Sequence, residues 1–314
     1  MFVFPIDDIV DENQAHQHLM DILHPSGLTC PNGHCLPEDQ APHERKDGPL
    51  TKYRCKICGC VFTMLSGTLF QGARYSCVQL ILLLRGVLQG KPTLHIAKEL
   101  DIDYGNALAW RHRIQAEVWE NKPHGPLPDQ ETESDETYPN AGEKGSPESE
   151  KDNPSRNRGN KARGRGSMES DRPPIVGVAG RESGQIRIEV VEHTTIEEIE
   201  PAVEKKTQPG VCVYTDENLA YGRLSETSRT HKSVSHSDYE WAEDEDGDGK
   251  NEVHDNTIEA VWTEMKNFLR PFKGVHKRYL HQYLAVFEWV YNLKEVSKDF
   301  LRLILLPGFT KKPI

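Results

Sequence analysis

Val211-Cys212-Val213-Tyr214-Thr215-Asp216-Glu217 is a run of β-branched and aromatic residues that ends on carboxylates. It reads as a buried strand, Val211 to Thr215, with Asp216 at its carboxyl end. Parallel and mixed sheets place their chemistry at that end of a strand. The stretch therefore points to an α/β or α+β fold with Asp216 as a candidate site residue. The other reading is an acid that caps the following turn. Upstream, Ile175 to Gly180 and Gln185 to Val191 flank Arg181-Glu182-Ser183-Gly184, a β-hairpin signal. Thr194 to Lys206 reads as a helix, as does Asn256 to Leu269, and a long helix is expected from Lys277 to Leu305.

Two further acids stand in settings of their own. Glu259 falls in His254-Asp255-Asn256-Thr257-Ile258-Glu259, and Lys266 follows it by seven residues. That separation puts both on one helical face, beside apolar Ile258, Val261, Trp262 and Met265. A solvated charged face is the alternative. Asp135 lies in Ser134-Asp135-Glu136-Thr137-Tyr138, and the residues before it, Asp129 to Ser134, are too polar for a typical central strand. If the three acids converge, they form a set of hard oxygen ligands for magnesium, and the chemistry becomes that of phosphodiesters.

The amino-terminal part carries Cys30-Pro31-Asn32-Gly33-His34-Cys35 and Cys55-Lys56-Ile57-Cys58-Gly59-Cys60. Two such knuckles are what a tetrahedral zinc site requires. Cys30, Cys35, Cys55 and Cys58 are the expected ligands, with His34 an alternative to Cys35 and Cys60 a competitor of Cys58. Thr93 to Leu100, a break at Asp101-Ile102-Asp103, and Tyr104 to Trp119 read as helix, tight turn, helix. Thr93 is the candidate N-cap, with an apolar face at Leu94, Ala97 and Leu100. Asn106, Arg111, His112 and Arg113 on the second helix suit a major groove; a plain helical hairpin fits the same pattern.

The chain has 314 residues, 36% of them hydrophobic, and a formal net charge of -11. That balance argues against a simple nucleic-acid binder. Basic residues are nevertheless clustered at Arg111 to Arg113 and at Arg156, Arg158, Lys161, Arg163 and Arg165. Screening over about 8–10 Å lets a local patch hold phosphates regardless of remote charge. Acidic residues crowd 129–152 and 238–255, and Asp244 to Asp255 only approximates a calcium loop. No run reaches the roughly 18 apolar residues of a membrane span. Seven cysteines, four in ligand spacings, fit a reducing cytoplasm.

The cysteine knuckles, Gly67-Thr68-Leu69-Phe70, Asp135-Glu136-Thr137-Tyr138, Arg172-Pro173-Pro174-Ile175-Val176-Gly177, Thr215-Asp216-Glu217 and Val253 through Trp262 occur in order. Together they resemble the ISXO/Merlin-type DDE transposases of insertion sequences, over about residues 28–295. The resemblance implies a multidomain α+β or α/β chain. It would comprise a lead (1–24), a zinc ribbon (25–68), a helix-turn-helix segment (69–122), an RNase H-like mixed-sheet catalytic domain (123–296) and a tail (297–314). The catalytic domain would carry a disordered insertion at about 139–170 and an acidic loop at about 237–253. Asp135, Asp216 and Glu259 become the catalytic acids holding Mg2+ or Mn2+, Lys266 the basic follower, and Asn256 a rival or helper ligand. Asn106, Arg111, Arg113, Arg158, Lys161, Arg163 and Arg165 are the expected DNA contacts. The partner would be double-stranded DNA, at the element's terminal inverted repeats and at a target. A homodimer or larger assembly would act in the cytoplasm, associated with the nucleoid. Pro139-Asn140-Ala141-Gly142 replaces the glycine pair usual after the first acid. The alternative is therefore an inactive or domesticated DNA-binding descendant.

Overall fold

The computed structural model describes residues 11–37, 40–43, 50–143, 164–216, 219–234, 256–293 and 297–306. The chain divides into two compact units, Met1–Asn121 with Leu293–Ile314, and Lys122–Asn292.

The second unit is built on a five-stranded mixed sheet. Its strands are β3 (Glu131–Thr137), β4 (Ile175–Gly180), β5 (Ile186–Val190), β6 (Cys212–Asp216) and β7 (Thr230–Val234), in the order β5-β4-β3-β6-β7. β3, β4 and β5 form an antiparallel meander, while β6 runs parallel to β3 and β7 parallel to β6. This is the mixed sheet expected of an RNase H-like domain. β4, Ile175-Val176-Gly177-Val178-Ala179-Gly180, is buried along its whole length because both faces are covered. Ile175 and Ala179 meet α6 (Asn256–Leu269) and α7 (Leu280–Leu293), whereas Val176 and Val178 meet α5 (Ile196–Glu204) and the short helix Leu219–Tyr221. α6 docks through Ile258, Val261, Trp262 and Met265, spaced as one helical stripe. The β4–β5 turn is held by Asp129, whose carboxylate accepts from the amides of Glu182 (2.9 Å) and Ser183 (2.7 Å).

β3 corrects the sequence reading most sharply. It is central, although Thr132, Glu133 and Ser134 are all fully buried polar residues. Such residues are tolerated in a core only when bonded. Ser134 Oγ donates to the Gly177 carbonyl at 3.0 Å, and Glu133 has several donors described below. The expected long helix from Lys277 to Leu305 is also broken. Lys277–Tyr279 is a short 3-10 turn, α7 ends at Leu293, and α8 (Lys298–Leu305) starts anew, with the Ser297 hydroxyl accepting from the Phe300 amide at 3.1 Å. The Asn292 side chain is bonded to the Ile186 amide (2.8 Å) and carbonyl (3.0 Å), which holds the end of α7 on the sheet. α8 belongs to the first unit and buries Phe300, Leu301, Ile304 and Leu305, so the segment read as a tail contributes to a core. Ala141, inside the expected insertion, is likewise buried. Residues 144–163 and 235–255, with the approximate calcium loop, lie outside the described residues.

The first unit holds α1 (Glu12–Leu23), the two-stranded ribbon β1 (Tyr53–Arg54) and β2 (Val61–Phe62), and helices α2 (Cys77–Leu88), α3 (Thr93–Glu99) and α4 (Tyr104–Asn121). α2 starts with a reciprocal Ser76–Gln79 capping box. Glu12 on α1 also accepts from the amides of Cys77 (2.6 Å) and Val78 (3.1 Å). α3 follows Pro92, and Thr93 supplies no cap bond. Leu94 is 49% exposed, whereas Ala97 and Leu100 of the expected face are buried, and Thr93 and Ile96 complete the inner side of α3.

Candidate metal centres

The register of β3 on β6 pairs Glu131 with Cys212, Thr132 with Val213 and Glu133 with Tyr214. Continuing it sets Asp135 level with Asp216 at the carboxyl ends of two adjacent parallel strands, where level side chains share a face. Carboxylate oxygens of Asp135, Glu136 and Asp216 all lie within 4.8 Å of one another. Burial, then repulsion from Glu136, push the Asp135 pKa up to about 7, with Asp216 adding to the rise and the Trp262 hydrogen bond opposing it. Three crowded acids of this kind are what a divalent cation neutralises.

Neighbouring side chains orient two of these acids. Trp262 Nε1 donates to Asp135 Oδ2 at 2.8 Å. The buried Tyr221 hydroxyl donates to Glu136 Oε2 at 2.8 Å, and Tyr138 lies 3.5 Å from Oε1. Burial, then the charges of Glu136 and Asp135, raise the Tyr221 pKa, so its phenol remains a donor. Glu136, the sequence neighbour of Asp135, joins the cluster although it is not among the expected site residues.

Glu259 is not among the three clustered acids. It is exposed on α6, as are Asn256 and Lys266. Its helix is nonetheless tied to the cluster, because Trp262, one turn further on, bonds Asp135. Glu259, Lys266 and Arg270 follow one helical stripe at spacings of seven and four. The stripe runs beside the Trp262 face.

The ribbon brings Cys30, His34, Cys55 and Cys58 together, with ligand atoms within 4.8 Å. Cys35 is exposed and is not in this group, a correction to the expected set. The reason is register. Thr29 bridges Cys35, and Cys30 and His34 close the turn through Cys30 N to His34 O at 2.9 Å, so Cys30 and His34 face the same way and Cys35 faces the other. Gly33 and Gly59 take φ of 82° and 75°, which allows both knuckles to turn tightly. The Cys60 amide, then the Asn32 side chain, hold the Cys58 pKa down to about 5, as a thiolate ligand requires. Cys60 lies 3.3 Å from Cys58, sulfur to sulfur, at the margin of the set.

The expected DNA contacts separate on burial. Arg111 is fully buried; its Nε donates to Thr93 Oγ1 at 2.8 Å and its guanidinium to the Lys91 carbonyl, so it ties α4 to α3 instead of facing a groove. Asn106 and Arg113 are exposed, and Arg113 lies over the Trp110 ring at 4.1 Å while donating to the Leu69 carbonyl at 2.6 Å. Arg165 is exposed. Arg158, Lys161 and Arg163 lie outside the described residues. No helix among the described residues is long and apolar enough to cross a membrane.

The model of the ISXO2-like transposase domain matches residues 129–292, and the chain belongs to that family of transposases. The chain is also 29% identical over 308 residues to an uncharacterized protein in transposable element ISH50 of Halobacterium salinarum, covering 96% of this chain and 99% of that protein. Among solved structures, the cryoEM structure of the simian T-cell lymphotropic virus intasome in complex with PP2A regulatory subunit B56 gamma contains a similar chain. It is 11% identical, covers 65% of this chain and 66% of that one, and has a TM-score of 0.29, too low to define a common fold.

Proposed function

We propose that this protein is a DDE-type transposase that cuts and joins DNA at the terminal inverted repeats of its own insertion sequence. The reading is supported above all by one observation: carboxylate oxygens of Asp135, Glu136 and Asp216 lie within 4.8 Å of one another. Asp135 and Asp216 would hold Mg2+ or Mn2+, with Glu136 beside them and Glu259 and Asn256 on α6 as outer ligands. Bound there, the metal would supply Lewis-acid activation of water or a DNA 3′-hydroxyl and stabilise the leaving oxygen. Trp262 orients the Asp135 carboxylate, and Tyr221 orients Glu136. Lys266 and Arg270, on the stripe that leads away from Glu259, would hold DNA phosphates.

Cys30, His34, Cys55 and Cys58 would hold Zn2+ and fix the ribbon. Exposed Asn106 and Arg113 on α4 would contact the repeat. Pairing of two element ends calls for at least a dimer on DNA. Cleavage of repeat-end DNA by purified protein with Mg2+ or Mn2+ tests the proposal. Loss of cleavage with EDTA and in Asp216→Ala is expected; equal cleavage by Asp216→Ala would sink it. Repeat binding without cleavage or strand transfer by the natural chain would favour the domesticated DNA-binding reading.

A further inference from the structure

Glu133 is a fully buried carboxylate in the central strand, two residues before Asp135 and on the same face of the sheet. Its oxygens accept from the amides of Thr257 (2.7 Å) and Ile258 (3.0 Å), from the Thr257 hydroxyl (3.0 Å) and from Arg181 Nε (2.9 Å). Thr257 and Ile258 belong to the first turn of α6, whose free amides carry the positive end of the helix dipole. Five residues after Thr257, Trp262 makes the second tie, to Asp135. Two successive inward positions of β3 therefore fix two points on α6, and Glu259 lies between them. The bonds that satisfy this buried carboxylate also fix where α6 starts on the sheet.

We propose that Glu133 is a positioning residue, which sets the rotation and height of α6 so that Glu259 and Asn256 are presented to the Asp135–Asp216 pair. This rests on the transposase reading above. Glu133→Gln keeps the volume but turns an amide NH2 toward existing donors. Single-turnover cleavage of repeat-end DNA at saturating DNA should fall tenfold or more, and the Mn2+ concentration giving half-maximal rate should rise at least threefold. DNA affinity should change less than twofold. Amide exchange at Thr257 and Ile258 should accelerate at least tenfold. Thr257→Val removes only the hydroxyl bond and should lose two- to fivefold in rate, which keeps the proposal testable if Glu133→Gln does not fold.

A cleavage rate in Glu133→Gln or Thr257→Val equal to that of the natural chain, with or without faster exchange, would overturn the positioning role alone. A natural chain that leaves repeat-end DNA intact under Mg2+ and Mn2+ would overturn the functional reading and the positioning role with it.

Discussion

Gly177 stands opposite Asp135 in the β3–β4 register, and its missing side chain is what lets Trp262 reach that acid. A Cβ built there would lie 2.4 Å and 2.7 Å from the Cη2 and Cζ2 carbons of Trp262 and 3.1 Å from Cδ1 of Ile258. Two effects oppose each other in Gly177→Ala. Alanine in a strand interior is favoured over glycine by about 0.5–1 kcal/mol, because less backbone freedom is lost on folding. Overpacking a filled core costs about 1–3 kcal/mol. The indole is only 3% exposed and is held by its 2.8 Å bond to Asp135, so it has little room to retreat. Overpacking should win, with a net loss of about 0.5–2 kcal/mol. For a unit of this size that is a fall in Tm of about 1–8 °C, at roughly 2–4 °C per kcal/mol. Thermal unfolding followed by tryptophan fluorescence measures it. Trp262→Phe removes both clashing carbons, so Gly177→Ala should be less harmful in that background, and a double-mutant cycle should give favourable coupling. Gly177→Ala should also weaken Mn2+ binding to the acidic cluster. A rise in Tm, or strict additivity in the cycle, would refute the reasoning.

Lys122 and Glu288 form a buried pair at 2.6 Å with 5% and 1% side-chain exposure, so Lys122→Met should destabilise the protein by about 3–5 kcal/mol at neutral pH. Burial already raises the Glu288 pKa, and Lys122 opposes that rise. Without Lys122 the folded carboxyl climbs further above its unfolded value. Its contribution is then intact below the ordinary carboxylate pKa of about 4.3 and is lost as pH rises through the folded value. Urea denaturation should therefore show a deficit that is small near pH 4 and grows toward pH 7; a pH-independent deficit would contradict it. His34→Ala should lower bound zinc, measured by atomic absorption on purified protein, whereas Cys35→Ser should leave it near that of the natural chain. Arg111→Ala should reduce thermal stability through lost α3–α4 bonds, while Arg113→Ala should weaken repeat binding and lessen the dependence of log Kd on log salt by about one unit. Selective loss of DNA affinity in Arg111→Ala with unchanged Tm would reverse that assignment.

Much was readable in the chain itself because it depends on short-range pattern. The Val211–Asp216 run, the hairpin around Arg181 to Gly184 and the 256–269 helix follow from periodicity and turn residues, and each formed where expected. The knuckle spacing marked a metal ribbon, but a spacing rule cannot tell His34 from Cys35. That choice falls to the antiparallel pairing of Thr29 with Cys35. Arg111 followed the same logic in reverse. Its place on a helix after a tight turn suited a groove, and only packing of α3 against α4 revealed that its guanidinium is internal.

β3 marks the boundary between the two kinds of information most clearly. A segment reading Glu-Thr-Glu-Ser-Asp-Glu-Thr has neither the apolar run nor the alternation of a central strand. It is stable there because α6, more than a hundred residues away in sequence, supplies amide donors for Glu133 and an indole for Asp135, and β4 supplies a carbonyl for Ser134. The sequence by itself determined that Asp216 ends an apolar strand and that Glu259 rides on a helix. Only the tertiary structure decided that Asp135, Glu136 and Asp216 share one site while Glu259 stands apart on a helix pinned nearby. A polar group can be buried only where distant partners satisfy it, and local sequence holds no record of those partners.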